Sequence, residues 1–369
     1  MDQTDIITIQ SLGARGDGMS EQGQAIAFAL PGEKVRPGPP LEVLEASDQR
    51  VAPPCQHYGT CGGCALQHLA LPPYQDWKRT KVADTLSQRG IDFDVEPTFG
   101  CAPGERRRAQ FAARRTETGL RFGYHQSGSK MIFDVLECPV LTPTIVSALP
   151  TLKELADIAC PKAGELKVAV FATDLGLDVC LSGATRLADG VRRRAVDFAL
   201  KSGLPRLSLG DEILIEREAP TVRFGGFPVS VQPGGFAQAT QRAEAHMVEL
   251  ATQYMKGCKQ VADLFAGAGT FSIPLALQSK VAAYESEPAA LTALDKAARQ
   301  APKLGVRIKT LTTERRDLHR RPLTARDLKR VDGVVFDPPR AGAEAQCKEL
   351  AKSPVRKIVG VSCNPATFA

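Results

Sequence analysis

Four short stretches carry residue types and spacings from which chemistry can be built. Ser362-Cys363-Asn364-Pro365 sets a thiol between two polar side chains with a proline behind it. Asp337-Pro338-Pro339-Arg340 sets a carboxylate at the head of a stiff, charged loop. Asp263-Leu264-Phe265-Ala266-Gly267-Ala268-Gly269-Thr270 is a glycine-rich turn. Cys55, Cys61 and Cys64 stand in C-x5-C-x2-C spacing. A single cysteine such as Cys363, taken alone, reads as a small buried hydrophobe. Three thiols as close as Cys55, Cys61 and Cys64 can grip one metal centre, with Gly59, Gly62 and Gly63 letting the backbone wrap. The fourth ligand then comes from elsewhere. Cys138 fits best, because Pro139 follows it and it lies outside any long apolar run. Four thiolates hold an iron–sulfur cluster or a tetrahedral zinc ion, and spacing alone does not choose between them. His57 and His68 read as structural.

The elements that must position these loops follow from hydrophobic pattern. Val334-Val335-Phe336 and Ile358-Val359-Gly360-Val361 are short apolar runs ending in polar loops. Between them, residues 343–352 have helical composition. That is a strand–helix–strand unit, which builds a parallel sheet, and ligands bind at the carboxyl ends of such strands. Upstream, an apolar strand runs into the glycine turn and then a helix containing Leu275, Ala276 and Leu277. The form D-L-x-x-G-x-G points to S-adenosylmethionine rather than a dinucleotide, since Ser272 stands where the third glycine of a pyrophosphate fingerprint belongs. Gly267 and Gly269 let the main chain approach a methionine carboxylate, and Asp263 and Phe265 border that site. Residues 281–285 form a second strand ending in Glu285, placed to accept both ribose hydroxyls, with Glu287 as the fallback. Residues 306–311 are predicted as a third strand. Asp337 is expected to line the cleft, near either the cofactor or the target base. The fold class read from this pattern is α/β, with a Rossmann-like methyltransferase domain from residue 228 onward.

The two loops DPPR and SCNPAT, both intact and in order, resemble the paired motifs of the RNA (uracil-C5)-methyltransferase family. The resemblance makes Cys363 the nucleophile. C5 of uracil is a poor nucleophile towards a methyl sulfonium. A thiolate adding to C6 turns C5 into an enolate-like carbon that can take the methyl group; a base then removes the C5 proton and the thiol leaves. Pro233 to Thr240 is similar to the family's P-x-x-F-x-Q-x-N motif, with Thr240 where asparagine is usual, so Gln238 inherits a cofactor contact. Thr270 stands where relatives often have asparagine, and Asp317 where they hold the adenine amine. CGGCALQHL with Cys138 downstream looks like the [4Fe–4S] site of the ribosomal-RNA branch. That favours the cluster over zinc at Cys55, Cys61, Cys64 and Cys138, and 23S ribosomal RNA over transfer RNA as substrate. SLGARGDGMS and LPGEKVR resemble the start of an OB-like TRAM barrel, here shortened. The implied organisation is a TRAM/OB-like module over residues 1–50, an iron–sulfur and RNA-binding domain over 51–227, and the catalytic domain over 228–369. Residues 74–89 read as a helix expected to pack on the catalytic domain.

Composition bounds the rest. The chain has 369 residues, 43% of them hydrophobic, ten cysteines and a formal charge of +6. Its pI of about 8.8 is compatible with a polyanionic partner. The start, MDQTDIITIQ, does not read as a signal peptide and no run is long enough to span a membrane, so a cytoplasmic protein is expected; a monomer is the expected oligomeric state. The arginines of residues 106–115, with Phe111, Phe122 and Tyr124 interleaved, suggest a face for single-stranded RNA, where guanidinium groups meet phosphates and bases stack on rings. By the same resemblance, a complete domain carries two further strands and a final glutamate that acts as the base. The strand at residues 358–361 is therefore expected to be unpaired on one side, and the chain alone to trap an adduct at Cys363 rather than turn over. Two rivals remain at this stage. One is a catalytically silent RNA-binding protein. The other is a DNA cytosine-C5 methyltransferase, whose usual Pro-Cys signature is absent here.

Overall fold

A computed structural model describes residues 6–183 and 186–369; residues 1–5, the start of the predicted N-terminal module, lie outside the described residues. The chain divides into two compact units. One comprises Met1–Gly100, Phe111–Pro139 and Cys160–Glu165; the other Cys101–Gln110, Val140–Ala159 and Leu166–Ala369.

The first unit opens with strands β1 (Ile7–Leu12), β2 (Gly18–Ser20), β3 (Ala25–Ile26), β4 (Lys34–Arg36) and β5 (Glu42–Glu45), joined in the antiparallel order β3-β2-β1-β4-β5. Ile9, Ile26, Ala29 and Val35 form its small core. Strand β3 stops at Ile26, because the chain turns at Phe28, which has a left-handed backbone (φ 63°). Helix α1 (Leu71–Ser87) starts on two prolines, where a missing N–H costs nothing. Its Tyr74 and Trp77 pack on Leu30, Leu66 and Leu69. Strand β6 (Arg108–Thr116) enters this unit at Phe111 and continues through β7 (Gly119–His125) and β8 (Ile132–Asp134) as an antiparallel meander.

The meander corrects one expectation. Phe111 and Phe122 are 0% and 1% exposed, with ring centroids 5.1 Å apart. Successive strand residues point to opposite faces, and here the face bearing both rings is the core face. These two rings cannot stack on bases. Arg114 and Arg121 are held by Glu165 and Asp134.

The second unit contains helices α2 (Pro143–Ser147) and α3 (Leu149–Ala159), strands β9 (Leu166–Thr173) and β10 (Gly176–Ser182), helix α4 (Asp189–Lys201), and strands β11 (Arg206–Leu209) and β12 (Glu212–Glu216). Strand β10 pairs antiparallel with β9 and parallel with β11. A hairpin follows, β13 (Thr221–Phe224) and β14 (Phe227–Ser230). Its two-residue loop, Gly225-Gly226, has positive φ at both positions, as a tight hairpin requires.

The remainder is a parallel α/β domain: α5 (Gln241–Tyr254), β15 (Gln260–Leu264), α6 (Ser272–Ala276), β16 (Lys280–Glu285), α7 (Pro288–Gln300), β17 (Leu311–Arg315), β18 (Gly333–Phe336), α8 (Glu344–Leu350), β19 (Lys357–Gly360) and α9 (Pro365–Phe368). The strands lie in the order β17-β16-β15-β18-β19, all parallel. Both faces are covered. Val335 enters a core with Met255, Phe271 and Leu275, while its neighbour Val334 enters another with Leu318, Leu328 and Leu350. Burial on two sides explains why these strands read as continuous apolar runs rather than alternating ones. The third strand starts later than predicted. Val306 donates to Ala301 O and Lys309 to Ala276 O, so the chain first pairs with β16 at Leu311.

Candidate active site

Sheet register places the chemistry. Leu264 is opposite Tyr284 on one side and Phe336 on the other, and Phe336 is opposite Gly360. The residues just beyond these partners are Phe265, Glu285 and Asp337, and three positions past Gly360 comes Cys363. Four loops thus leave the same edge of the sheet. Val361 N donates to Phe336 O at 2.9 Å, tying the start of the thiol loop to the start of the Asp337 loop.

Each loop is built to hold its shape. In the glycine turn, Phe265 has φ 59°, a left-handed conformation that a large side chain adopts only where its surroundings enforce it. Gly269 (φ 102°) admits no side chain, since a Cβ there would lie 2.4 Å from Leu294 Cδ1. Gly267 N donates to Glu285 Oε2 at 3.0 Å, and the other Glu285 oxygen accepts from the Ser286 and Glu287 amides. Glu285 therefore bridges the glycine turn and the loop after β16, while Glu287 caps α7. Asp317 accepts the His319 and Arg320 amides at 3.1 and 3.2 Å and so shapes the turn after β17; His319 lies against the Phe265 ring. Thr270 is half-buried within the turn.

Beneath the turn, Asp263 is 1% exposed, with Oδ2 accepting the Ser272 hydroxyl at 2.5 Å. Its Oδ1 has no hydrogen-bond partner among the described residues. Burial pushes this carboxyl up to about 7, and the charges of Asp337 and Glu285 push the same way against the Ser272 hydrogen bond. The sequence hinted at Ser272 only as a missing glycine; its partnership with Asp263 is a structural finding.

Gln238 Nε2 donates to Asp337 Oδ2 at 2.9 Å. Burial raises the Asp337 carboxyl and this hydrogen bond pulls it back. Phe236, two residues before Gln238, is 71% exposed. Cys363 is exposed; Asn364 behind it caps α9 through Ala366 N, and Ser362 Oγ accepts from Asn364 N. The thiol thus sits on a turn braced from both sides.

In the first unit, Cys55, Cys61, Cys64 and Cys138 line one small pocket walled by Tyr124, Phe133 and Val135. Burial raises the Cys55 and Cys61 thiols, and each also feels Cys64. Among the described residues no group of three or more His, Cys, Asp or Glu side chains is already arranged around a metal position. His57 accepts from Leu136 N and lies against Phe133; buried His68 bonds Tyr58 through Nδ1, while its Nε2 has no hydrogen-bond partner among the described residues.

A parallel sheet with a glycine turn after its central strand and acids at its neighbouring strand ends defines an α/β domain of the S-adenosylmethionine-dependent methyltransferase type. Residues 227–369 match the family model described as tRNA (Uracil-5-)-methyltransferase. A protein of Mesorhizobium japonicum, described as an uncharacterized RNA methyltransferase, is 47% identical over 98% of this chain and 89% of its own length. The 23S rRNA (uracil(1939)-C(5))-methyltransferase RlmD of Halomonas elongata is 33% identical over 98% of this chain and 82% of its own. Among solved structures, the Pyrococcus abyssi tRNA (uracil-54, C5)-methyltransferase, in complex with S-adenosyl-L-homocysteine, superposes with a TM-score of 0.74. It is 22% identical, with 100% of this chain and 92% of that one covered. The chain belongs to the tRNA/RNA (uracil-5-)-methyltransferase family, a family of enzymes. No helix among the described residues is long and apolar enough to cross a membrane.

Proposed function

We propose that this protein methylates C5 of a uridine in 23S ribosomal RNA, using S-adenosylmethionine and a transient bond between Cys363 Sγ and C6 of the base. The observation that carries the reading is the register, which delivers the thiol loop, Asp337, the glycine turn and Glu285 to one sheet edge. S-adenosylmethionine, when bound, supplies an electrophilic methyl group on a sulfonium. Gly267, Gly269, Thr270 and Phe265 form the turn that would receive its amino-acid end, Glu285 its ribose and Asp317 its adenine. The fit is one of space and charge: the Gly267 and Gly269 amides are held by Glu285 and Ala266 O, the glycines let the main chain come close to the amino-acid end, and acids at the strand ends suit a cation.

On the RNA, Cys363 adds to C6 and pushes electron density onto C5. C5 takes the methyl group, a base removes its proton, and the electron pair returned to C5–C6 expels the thiolate. Asp337, just past β18, and Gln238 would border the cleft that receives cofactor and base, and Gln238 holds the carboxylate in one orientation. The target base must leave its stack to reach the thiol, at a cost of a few kcal/mol if it is initially paired. Exposed Phe236 has the Arg108 guanidinium 4.7 Å from its ring centre and would offer its other face to a base. The N-terminal antiparallel module, read as a shortened TRAM/OB-like fold, is proposed as an accessory RNA contact, and the protein as a cytoplasmic monomer.

The test is transfer of labelled methyl groups to purified RNAs, followed by nucleoside analysis. The label is expected on C5 of a uridine in 23S fragments, released or still bonded to Cys363; label confined to transfer RNA would overturn the ribosomal assignment.

The cysteine pocket is proposed to hold a [4Fe–4S] cluster on Cys55, Cys61, Cys64 and Cys138. Four thiols around one apolar pocket match its ligand set. Protein purified without oxygen is expected to carry about four irons per chain and to absorb broadly near roughly 400 nm. Cys64→Ser should lose both. Stoichiometric zinc in their place would sink the cluster.

A further inference from the structure

Arg107 belongs to a run of arginines that the sequence suggested for RNA phosphates, yet it is only 7% exposed. Its guanidinium is spent inside the protein. Nη2 donates to Glu244 Oε2 at 2.6 Å, and Nε donates to the Gln238 carbonyl at 3.0 Å. Its backbone N donates to Ala239 O at 3.0 Å, and the guanidinium lies 5.5 Å from the Phe171 ring centre. Glu244, 3% exposed, sits in the first turn of α5, which Thr240 caps through Ala243 N. Arg108 adds a bond to Ala237 O. The loop bearing Gln238 is therefore fixed from behind by the residues that open β6, and from in front by the bond from Gln238 Nε2 to Asp337.

A buried ion pair is weak evidence for stability in itself, because desolvation offsets much of the attraction. This pair does something a hydrophobic replacement could not. The planar fork spans a carboxylate and the Gln238 carbonyl at once, so it sets where the Gln238 backbone lies and where its side chain points. Lysine would keep the charge beside Glu244 and lose that second, directional bond.

We propose that Arg107 is a positioning residue for methyl transfer. It acts through Gln238 on Asp337, with Glu244 as its buried counter-ion, and so links the start of β6 to the loop that precedes the thiol loop. The inference rests on the reading above that Gln238 and Asp337 border the cleft that receives cofactor and target base.

The test compares Arg107→Lys, Gln238→Ala and the double variant in single-turnover methyl transfer to 23S RNA, with thermal melting as a fold control. Arg107→Lys is expected to slow the saturated rate by about tenfold to a hundredfold, the scale of a small misplacement of a reacting group. The half-saturating RNA concentration should stay within about twofold, since Arg107 is only 7% exposed and offers the RNA no surface. Because both residues act through one contact, the double variant should be no slower than the slower single variant. A parental rate for Arg107→Lys, or losses that multiply in the double variant, would overturn the proposal. Should Arg107→Lys fail to fold, Glu244→Gln carries the same comparison, as it removes the counter-charge and keeps an acceptor. Cys363→Ala separates the two levels. If it still methylates, the site reading fails; if it is inactive while Arg107→Lys is parental, this inference alone fails.

Discussion

Cys363→Ala should abolish methyl transfer, with a loss of about 10⁴-fold or more, the scale seen when a nucleophile is deleted. It should also abolish the covalent complex that the parent forms with RNA carrying 5-fluorouridine. The logic of the trap is atomic. Once the thiol has added to C6 and C5 has taken a methyl group, a uridine still has a C5 proton to lose, and its loss expels the thiol. With fluorine in that position there is no proton to remove, so the C6–S bond persists and can be seen as a slowly migrating, heat-stable band. The substitution is a clean one. Cys363 is exposed at the head of a loop, where replacement by alanine costs little stability, roughly within 0.5 kcal/mol. Lost activity would then report chemistry rather than unfolding, and melting of the variant checks this. Full methyl transfer by Cys363→Ala would remove the thiol from the reaction.

That loop was readable from sequence because its information is local. A four-residue apolar strand, a polar loop and a proline fall within nine residues, from Lys357 to Pro365. The glycine turn and the Asp337 loop are equally compact. What the sequence could not convey is pairing over distance. Arg107 meets Glu244 across 137 positions, and nothing near either residue marks the other. The run of arginines suggested a surface, since most arginines are solvated; one of them turned out to be the buried clamp of a loop. Phe111 and Phe122 misled for a related reason. A strand's alternation says that rings share a face, but only the fold says which face is the core. The late start of β17 is a third case, because residues 306–310 have strand-like composition, yet Val306 and Lys309 donate instead to carbonyls at the ends of neighbouring helices.

The second large effect concerns pH and a residue whose sequence context gave only its place beside the glycine turn. Asp263 is fully buried, and burial lifts its carboxyl from 3.8 to about 7. The unfolded chain loses this proton near pH 4, while the folded chain keeps it to about pH 7. Between those values the folded state binds more protons, so stability must fall as pH rises. The contribution is complete below about pH 4 and gone above about pH 7, and from pH 5 to pH 8 the loss is roughly 3 kcal/mol. This is opposite in sign to an ordinary salt-bridged aspartate. Asp263→Asn removes the titration and keeps an oxygen for the Ser272 hydroxyl. Its amide hydrogens must enter the position of the unpartnered Oδ1, at a cost of about 1–3 kcal/mol, so absolute stability is a poor readout and the slope is the diagnostic one. Denaturant unfolding at pH 5 and pH 8 should show the loss in the parent and a much smaller one in the variant. An unchanged slope would mean that Asp263 is already ionised in the folded protein at pH 5. If the slope does flatten, the aspartate is costly to keep ionised at physiological pH. A cationic ligand bound on the turn nearby would favour the ionised form, so Asp263→Asn should weaken S-adenosylmethionine binding more at pH 8 than at pH 5.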